Sequence, residues 1–249
     1  MISKSTNVVA CRNCPLRKQP GLRDLDEKQV EYLQEFKRGE MSIEKGGMLV
    51  EQGQVGPHLH TILHGVLLRY RSLEDGRRQI VNFMFPGDLV GLQSAFEGPA
   101  NHAVEALLDT RLCLFERTSF PEFIGSHPRL AYDIVWLAAK EETQLEEHLV
   151  ALGQRTAKER LVYLAVWLVD RATKSGLCDK ANTVALPITQ TQIADMLGLS
   201  LVHTNRTLRA LLKEKLVEWR PGEIHVPDME KACEFAQFTY DPEGKRPFI

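Results

Sequence analysis

The stretch Thr189–Leu216, TQTQIADMLGLSLVHTNRTLRALLKEKL, constrains this chain more than any other, because it specifies two short helices and the turn between them. Thr189 stands three residues before Gln192. That is the spacing of a capping box, in which each side chain satisfies the other's orphan backbone donor. Ile193 and Leu197 give the first helix an apolar edge. Gly198 supplies the left-handed residue that closes a helix, and Leu199 behind it plugs the core. Ser200 is a fresh N-cap, so a second helix begins almost at once.

At the helical period the second helix divides cleanly. Thr204, Leu208 and Leu211 share one side, with Leu212 at its edge, and Val202, Asn205, Arg206, Arg209 and Lys213 share the other. An ordinary surface helix shows the same split. What distinguishes this one is its company: a capped helix, a glycine turn, then a basic helix with Asn and Arg in its first turns. In a helix-turn-helix the second helix lies in the DNA major groove with its N-terminal residues at base edges. Arg pairs with guanine and Asn with adenine through two hydrogen bonds each. The candidate DNA-binding residues are Thr189, Ser200, Val202, His203, Asn205, Arg206, Arg209 and Lys213. Val217–Trp219 and Ile224–Val226, around Arg220-Pro221-Gly222-Glu223, read as a β-hairpin wing. Such a hairpin also closes a small core.

Net charge is −2, so contact with nucleic acid has to come from a local basic patch. No apolar run reaches the length of a membrane span and no signal peptide is legible, which places the chain in the cytoplasm with no membrane partner. Five irregularly spaced cysteines argue against a disulfide scaffold.

The remainder divides by pattern into an N-terminal segment over 1–24 containing Cys11-Arg12-Asn13-Cys14, a β-barrel domain over 25–125, and a long helix over 126–153. A winged helix-turn-helix domain over 154–228 and a tail over 229–249 follow. Leu25, Val30, Leu33 and Phe36 have helical spacing, with Gly39 as the stop. Met48–Val50, Leu59–Leu63, Val66–Tyr70 and Gln79–Phe85 are short runs between Gly, Pro and Asp turns, the pattern of a sandwich or barrel. On the long helix, Ile134, Ala138, Leu145, Leu149 and Leu152 form a stripe beside Leu130 and Leu137, interrupted by Glu141 and Glu142. The stripe reads as a dimer seam; the alternative is packing on the barrel. Thr156–Arg171 is a further apolar helix, and Val184–Ile188 a short strand before the motif. The tail carries no functional signal.

A barrel, a long helix and a winged helix-turn-helix, in that order, resemble the CRP/FNR superfamily of dimeric bacterial transcription regulators. The resemblance rests on Gly46, Gly53 and Gly65, on Pro86-Gly87-Asp88-Leu89-Val90-Gly91, on Ala157-Lys158-Glu159-Arg160-Leu161, and on Thr189–Leu212. It implies an α+β chain with a cyclic-nucleotide-binding-like jelly roll, a homodimer on two-fold related DNA half-sites, and RNA polymerase as a partner. Arg206 matches the family's guanine-reading arginine, while Val202 replaces the usual Glu. In cyclic-AMP receptors a Glu follows the second cassette glycine and an Arg-Ser pair holds the phosphate. Here Leu92 follows Gly91, and Pro99-Ala100-Asn101-His102-Ala103 has neither, which argues against cyclic AMP because a buried phosphate needs a cation.

The oxygen sensors of this superfamily hold an iron–sulfur cluster with N-terminal cysteines and one from the barrel. Cys11, Cys14 and Cys113 match that set, but the cysteine expected near Pro20 is absent. Three thiolates leave a cluster incomplete unless His, water or a second subunit completes it. Cys113, Cys178 and Cys233 read equally as small buried hydrophobes. His58, His60 and His64 fall on one strand face with metal-ligand-like spacing, so a cupin-like metalloenzyme with a DNA-binding domain is the alternative of another class. No carboxylate follows at cupin spacing.

Overall fold

Residues 2–4, 8–96, 98–178, 181–241 and 243–249 are described by the structure, a computed structural model. They form two compact units, Met1–Glu141 together with Lys245–Ile249, and Glu142–Gly244. The first contains β1 (Ile2–Lys4), α1 (Glu27–Phe36), β2 (Lys37–Ile43), β3 (Met48–Val50), β4 (His58–His64), β5 (Leu67–Ser72), β6 (Arg78–Met84), β7 (Leu89–Val90), α2 (Leu92–Phe96), β8 (Ala103–Ala106), β9 (Thr110–Glu116) and α3 (Phe120–Ser126).

These strands make two antiparallel sheets, ordered β1-β2-β9-β4-β7 and β3-β8-β5-β6. Ile43, Ile62, Leu67, Met84, Val104 and Leu112, drawn from both sheets, form one core. Residues of opposite parity on β4 and β9 (Leu59, Leu63, Cys113 and Phe115) form a second core with α1 and α3. A sheet covered on both faces loses the in-out alternation. Hence all of Leu59–Leu63 is buried, His60 and Thr61 included. Gly65 has φ +93°, and a Cβ there would meet Asp109 O at 2.5 Å, so the turn after β4 admits only glycine.

Asp26 caps α1 in a capping box with Gln29. The helix ends at Phe36 and passes directly into β2. Gly39 is therefore not its stop; it lies where the β2–β9 register shifts.

The long helix α4 (Pro128–Gln154) spans about 40 Å at 1.5 Å per residue. Its first half corrects the expected seam. Ile134 and Leu130 are buried in the barrel's second core, with Leu137 packed against it, so Ile134 is not available to a partner. Asp133 is buried and paired with Arg23. Glu141 pairs with the buried Arg69 and accepts from Asn82 Nδ2 at 3.1 and 3.3 Å. The exposed apolar residues are instead Tyr132, Val135, Leu149 and Val150, 68%, 66%, 69% and 48% exposed. At 3.6 residues per turn these lie within one arc about 100° wide, and Glu142 falls inside it. Ala138 is exposed at the margin of that arc, and Leu145 and Leu152 are half-buried.

The second unit is built around α5 (Ala157–Lys174), capped by Thr156 and Glu159 and buried from Leu161 to Asp170. Around it stand β10 (Thr183–Val184), α6 (Gln190–Leu197), α7 (Leu201–Lys213), β11 (Glu218–Arg220), β12 (Glu223–His225) and α8 (Met229–Ala236). The strands form one small sheet, β10-β12-β11. Of the strand expected over Val184–Ile188 only Val184 is in β10; the chain turns directly after it, with Leu186 N donating back to Val184 O at 3.2 Å. Among the described residues no helix is long and apolar enough to cross a membrane.

Candidate nucleic-acid interface

The motif closes through local hydrogen bonds. Thr189 Oγ1 accepts from Gln192 N at 3.1 Å, and Gln192 Oε1 accepts from Thr189 N at 2.8 Å. Gly198 takes φ +61° and donates to Ala194 O, which also accepts from Leu199 N at 3.2 Å. Ser200 Oγ accepts from His203 N at 3.2 Å and so starts α7. Ser200→Ala is expected to destabilise this unit by about 1 kcal/mol in urea unfolding, and Ser200→Gly by a few tenths.

On α7 the buried side is Thr204, Thr207, Leu208 and Leu211. Thr207 lies outside the apolar pattern; its hydroxyl donates to His203 O at 2.8 Å, which satisfies it within the helix. Leu212 is 49% exposed and belongs to the outer face. Arg206, Arg209 and Lys213 are exposed, Val202 is 81% exposed, and His203 and Asn205 are half-buried. Asn205 Nδ2 donates to Gln190 Oε1 at 2.9 Å, which fixes the Asn side chain against the start of α6. Two residues outside the expected DNA-binding set orient the motif. Gln190 is one. The other is Arg160, which donates from Nη1 to Leu197 O at 3.2 Å and from Nε to Arg155 O at 2.8 Å. A cation at the last carbonyls of α6 complements that helix's negative end. Beside α7, the β11–β12 hairpin turns on Pro221-Gly222, with Gly222 at φ +85°.

In the barrel unit, Cys11, Cys14 and Cys113 do converge, lining a cavity of about 30 Å³ with Lys37 and Glu40. Burial raises all three thiol pKa values, that of Cys113 to about 12. Lys37 Nζ and Glu40 Oε1 pair at 2.6 Å, both side chains nearly inaccessible. A cluster needs four ligands held as thiolates and far more room than a water or two. Among the described residues no group of three or more His, Cys, Asp or Glu is placed to hold a metal ion. The cysteines in this arrangement therefore do not fit an iron–sulfur cluster. Cys233 is buried, as expected, while Cys178 is half-buried.

The histidine trio does not assemble. His58 and His60 rings are 6.1 Å apart, and burial, then the neighbouring His58, pushes the His60 pKa down to about 4. A register irregularity between Ile62 and His64 leaves His64 exposed.

Residues 40–127 match the cyclic nucleotide-binding domain family and residues 159–234 the Crp-like helix-turn-helix domain family. The chain is 30% identical over 219 residues to the nitrogen fixation regulation protein FixK of Bradyrhizobium diazoefficiens, covering 88% of this chain and 90% of that protein. It is 27% identical over 239 residues to the transcriptional activator protein FnrL of Cereibacter sphaeroides, covering 95% of each. The structure of FixK2 from Bradyrhizobium japonicum matches with a TM-score of 0.69 at 27% identity, over 81% of this chain and 98% of that one. These relatives are regulators, which sets aside the cupin-like enzyme. With a barrel domain of this kind followed by a Crp-like helix-turn-helix, the chain belongs to the CRP/FNR family of DNA-binding transcription regulators.

Proposed function

We propose that the chain acts as a homodimer on a two-fold related duplex site, each protomer laying α7 in a major groove. The observation that carries this reading is the outer face of α7, where Arg206, Arg209 and Lys213 are exposed beside the exposed apolar Val202. Arg206 reads guanine through two hydrogen bonds, and the Val202 side chain suits a thymine methyl. His203 and Asn205 set the preference at neighbouring bases. Arg209 and Lys213 hold phosphates, and Thr189 and Ser200 present the first turns of α6 and α7 to the backbone. The dimer forms along α4, through Tyr132, Val135, Leu149 and Val150 with Ala138, Leu145 and Leu152 at the margin. RNA polymerase is the protein partner, and the cytoplasm is the site of action. A duplex enriched from random sequence should be bound at least a hundredfold more tightly than a scrambled one, since specific binding typically exceeds non-specific by ~10³ or more. Equal affinity for both would remove the reading.

The signal enters at the barrel and reaches α4, a two-state element whose balance sets the aim of α7. Cyclic AMP is not that signal. Leu92 follows Gly91 in the cassette, and His102, in the segment that would hold a phosphate, is kept neutral with a pKa of about 4 by burial and by Arg69 and Arg71. Arg69, the buried cation nearby, is already paired with Glu141. Millimolar cyclic AMP is expected to leave the melting temperature and DNA affinity unchanged. A stabilisation growing as RT ln(1 + [L]/Kd) would show the opposite.

A further inference from the structure

The segment Lys245–Ile249, which carries no functional signal in the sequence, is part of the barrel unit although it follows the DNA-binding unit in the chain. It is held in three ways. Its backbone bonds to the stretch before α1: Arg23 N donates to Arg246 O at 2.8 Å and Arg246 N to Gly21 O at 3.0 Å. The Arg246 guanidinium forks into the turn before β7, reaching Asp88 Oδ1 at 2.8 Å, Pro86 O at 3.0 Å and Gly87 O at 3.3 Å. Phe248 and Ile249, 2% and 7% exposed, enter the second core. There they form a wall of the cavity lined by Cys11, Cys14 and Cys113.

That cavity, about 30 Å³, has room for about one or two water-sized groups. Its other walls come from β2, β4, β9, α1 and the stretch 9–25, whereas Phe248 and Ile249 belong to a short segment that can withdraw without breaking a sheet. We propose that the barrel carries a binding site for the segment Lys245–Ile249, and that this bound segment and any larger group on the three thiols exclude each other. Linkage makes the effect reciprocal: what loads the thiols releases the segment, and what releases the segment exposes the thiols. The segment is joined through residues 237–244 to the DNA-binding unit. Its release breaks these non-covalent contacts and leaves the backbone intact, so that α4 becomes the one remaining connection of that unit to the barrel.

N-ethylmaleimide is a suitable probe. The thiol sulfur adds across the maleimide double bond, a thioether forms, and the thiol proton ends on the adjacent carbon, so no oxidant is needed. Labelling of Cys113 is followed by peptide mass spectrometry in the full chain, in Phe248→Ala/Ile249→Ala and in Arg246→Glu. The last variant sets a like charge against Asp88 and leaves the cavity lining intact. Buried Cys233, in the other unit, is the internal standard. Both variants are expected to label Cys113 at least tenfold faster relative to Cys233 than the parent does. A synthetic peptide of residues 245–249 should restore protection to Arg246→Glu. A relative acceleration below tenfold in Arg246→Glu, including one in which Cys233 accelerates equally, overturns the proposal. The readout does not involve DNA, so its failure is distinguishable from failure of the DNA-reading role.

Discussion

Arg206→Ala is expected to weaken binding to the enriched duplex by between about thirtyfold and twenty-thousandfold. A two-bond guanine interaction contributes about 1–3 kcal/mol, a dimer makes it at both half-sites, and about 1.4 kcal/mol is tenfold. The side chain is exposed on the outer face of α7, so its removal leaves the packing of that helix untouched. Binding to scrambled duplex should fall much less. Arg209→Ala and Lys213→Ala are the contrast: each should weaken all sequences alike and reduce the salt slope by about 0.9 for each phosphate no longer neutralised. Anisotropy titrations of the three variants at several salt concentrations make the comparison. An Arg206→Ala chain that keeps the parent's preference among half-sites means that α7 is turned differently in the groove.

The second large effect separates two neighbouring glutamates. Glu141 faces the barrel, where Arg69 and Asn82 hold it, and Glu142 faces outward among Tyr132, Val135, Leu149 and Val150. Glu141→Leu leaves the buried Arg69 without its carboxylate. Breaking a buried pair costs about 3–5 kcal/mol. Glu141 retains roughly a third of its side-chain exposure. About 2–3 kcal/mol of barrel stability is therefore the expected loss in urea unfolding, discounted for solvent screening. Glu142→Leu should leave that stability within about 0.5 kcal/mol. If the dimer forms along α4 as proposed, it should instead tighten that dimer by about tenfold, by removing a like-charge repulsion across the two-fold axis and burying a leucine there. Sedimentation across a dilution series reads this. Identical dimer constants for Glu142→Leu and the parent would place the seam elsewhere.

The helix-turn-helix is legible in the sequence because its determinants are local. Thr189 with Gln192, Gly198, and Ser200 with His203 each act within a few residues, and the structure makes those same bonds. The barrel strands are legible for a related reason: turn residues punctuate them at short intervals. The face of α4 is not legible. Ile134 and Val135 are equally apolar, and which one is buried depends on where the barrel packs, a tertiary fact that helical period alone does not carry. Meeting of Cys11 and Cys14 with Cys113 follows from family resemblance, because no spacing rule links residues that distant. Phe248 and Ile249 pack against residues more than a hundred positions away, without periodicity, and nothing in the tail's composition announces it.

The most direct test of the central claim is the symmetry of the DNA that the full chain selects from random duplexes. If two α7 helices read one site from a dimer, the enriched sequence is two-fold related. Its half-site centres are then one helical turn apart, about 34–36 Å. Guanine is fixed at the position that loses preference in Arg206→Ala. A selected sequence without two-fold symmetry, or one whose preference Arg206→Ala leaves intact at every position, contradicts the account.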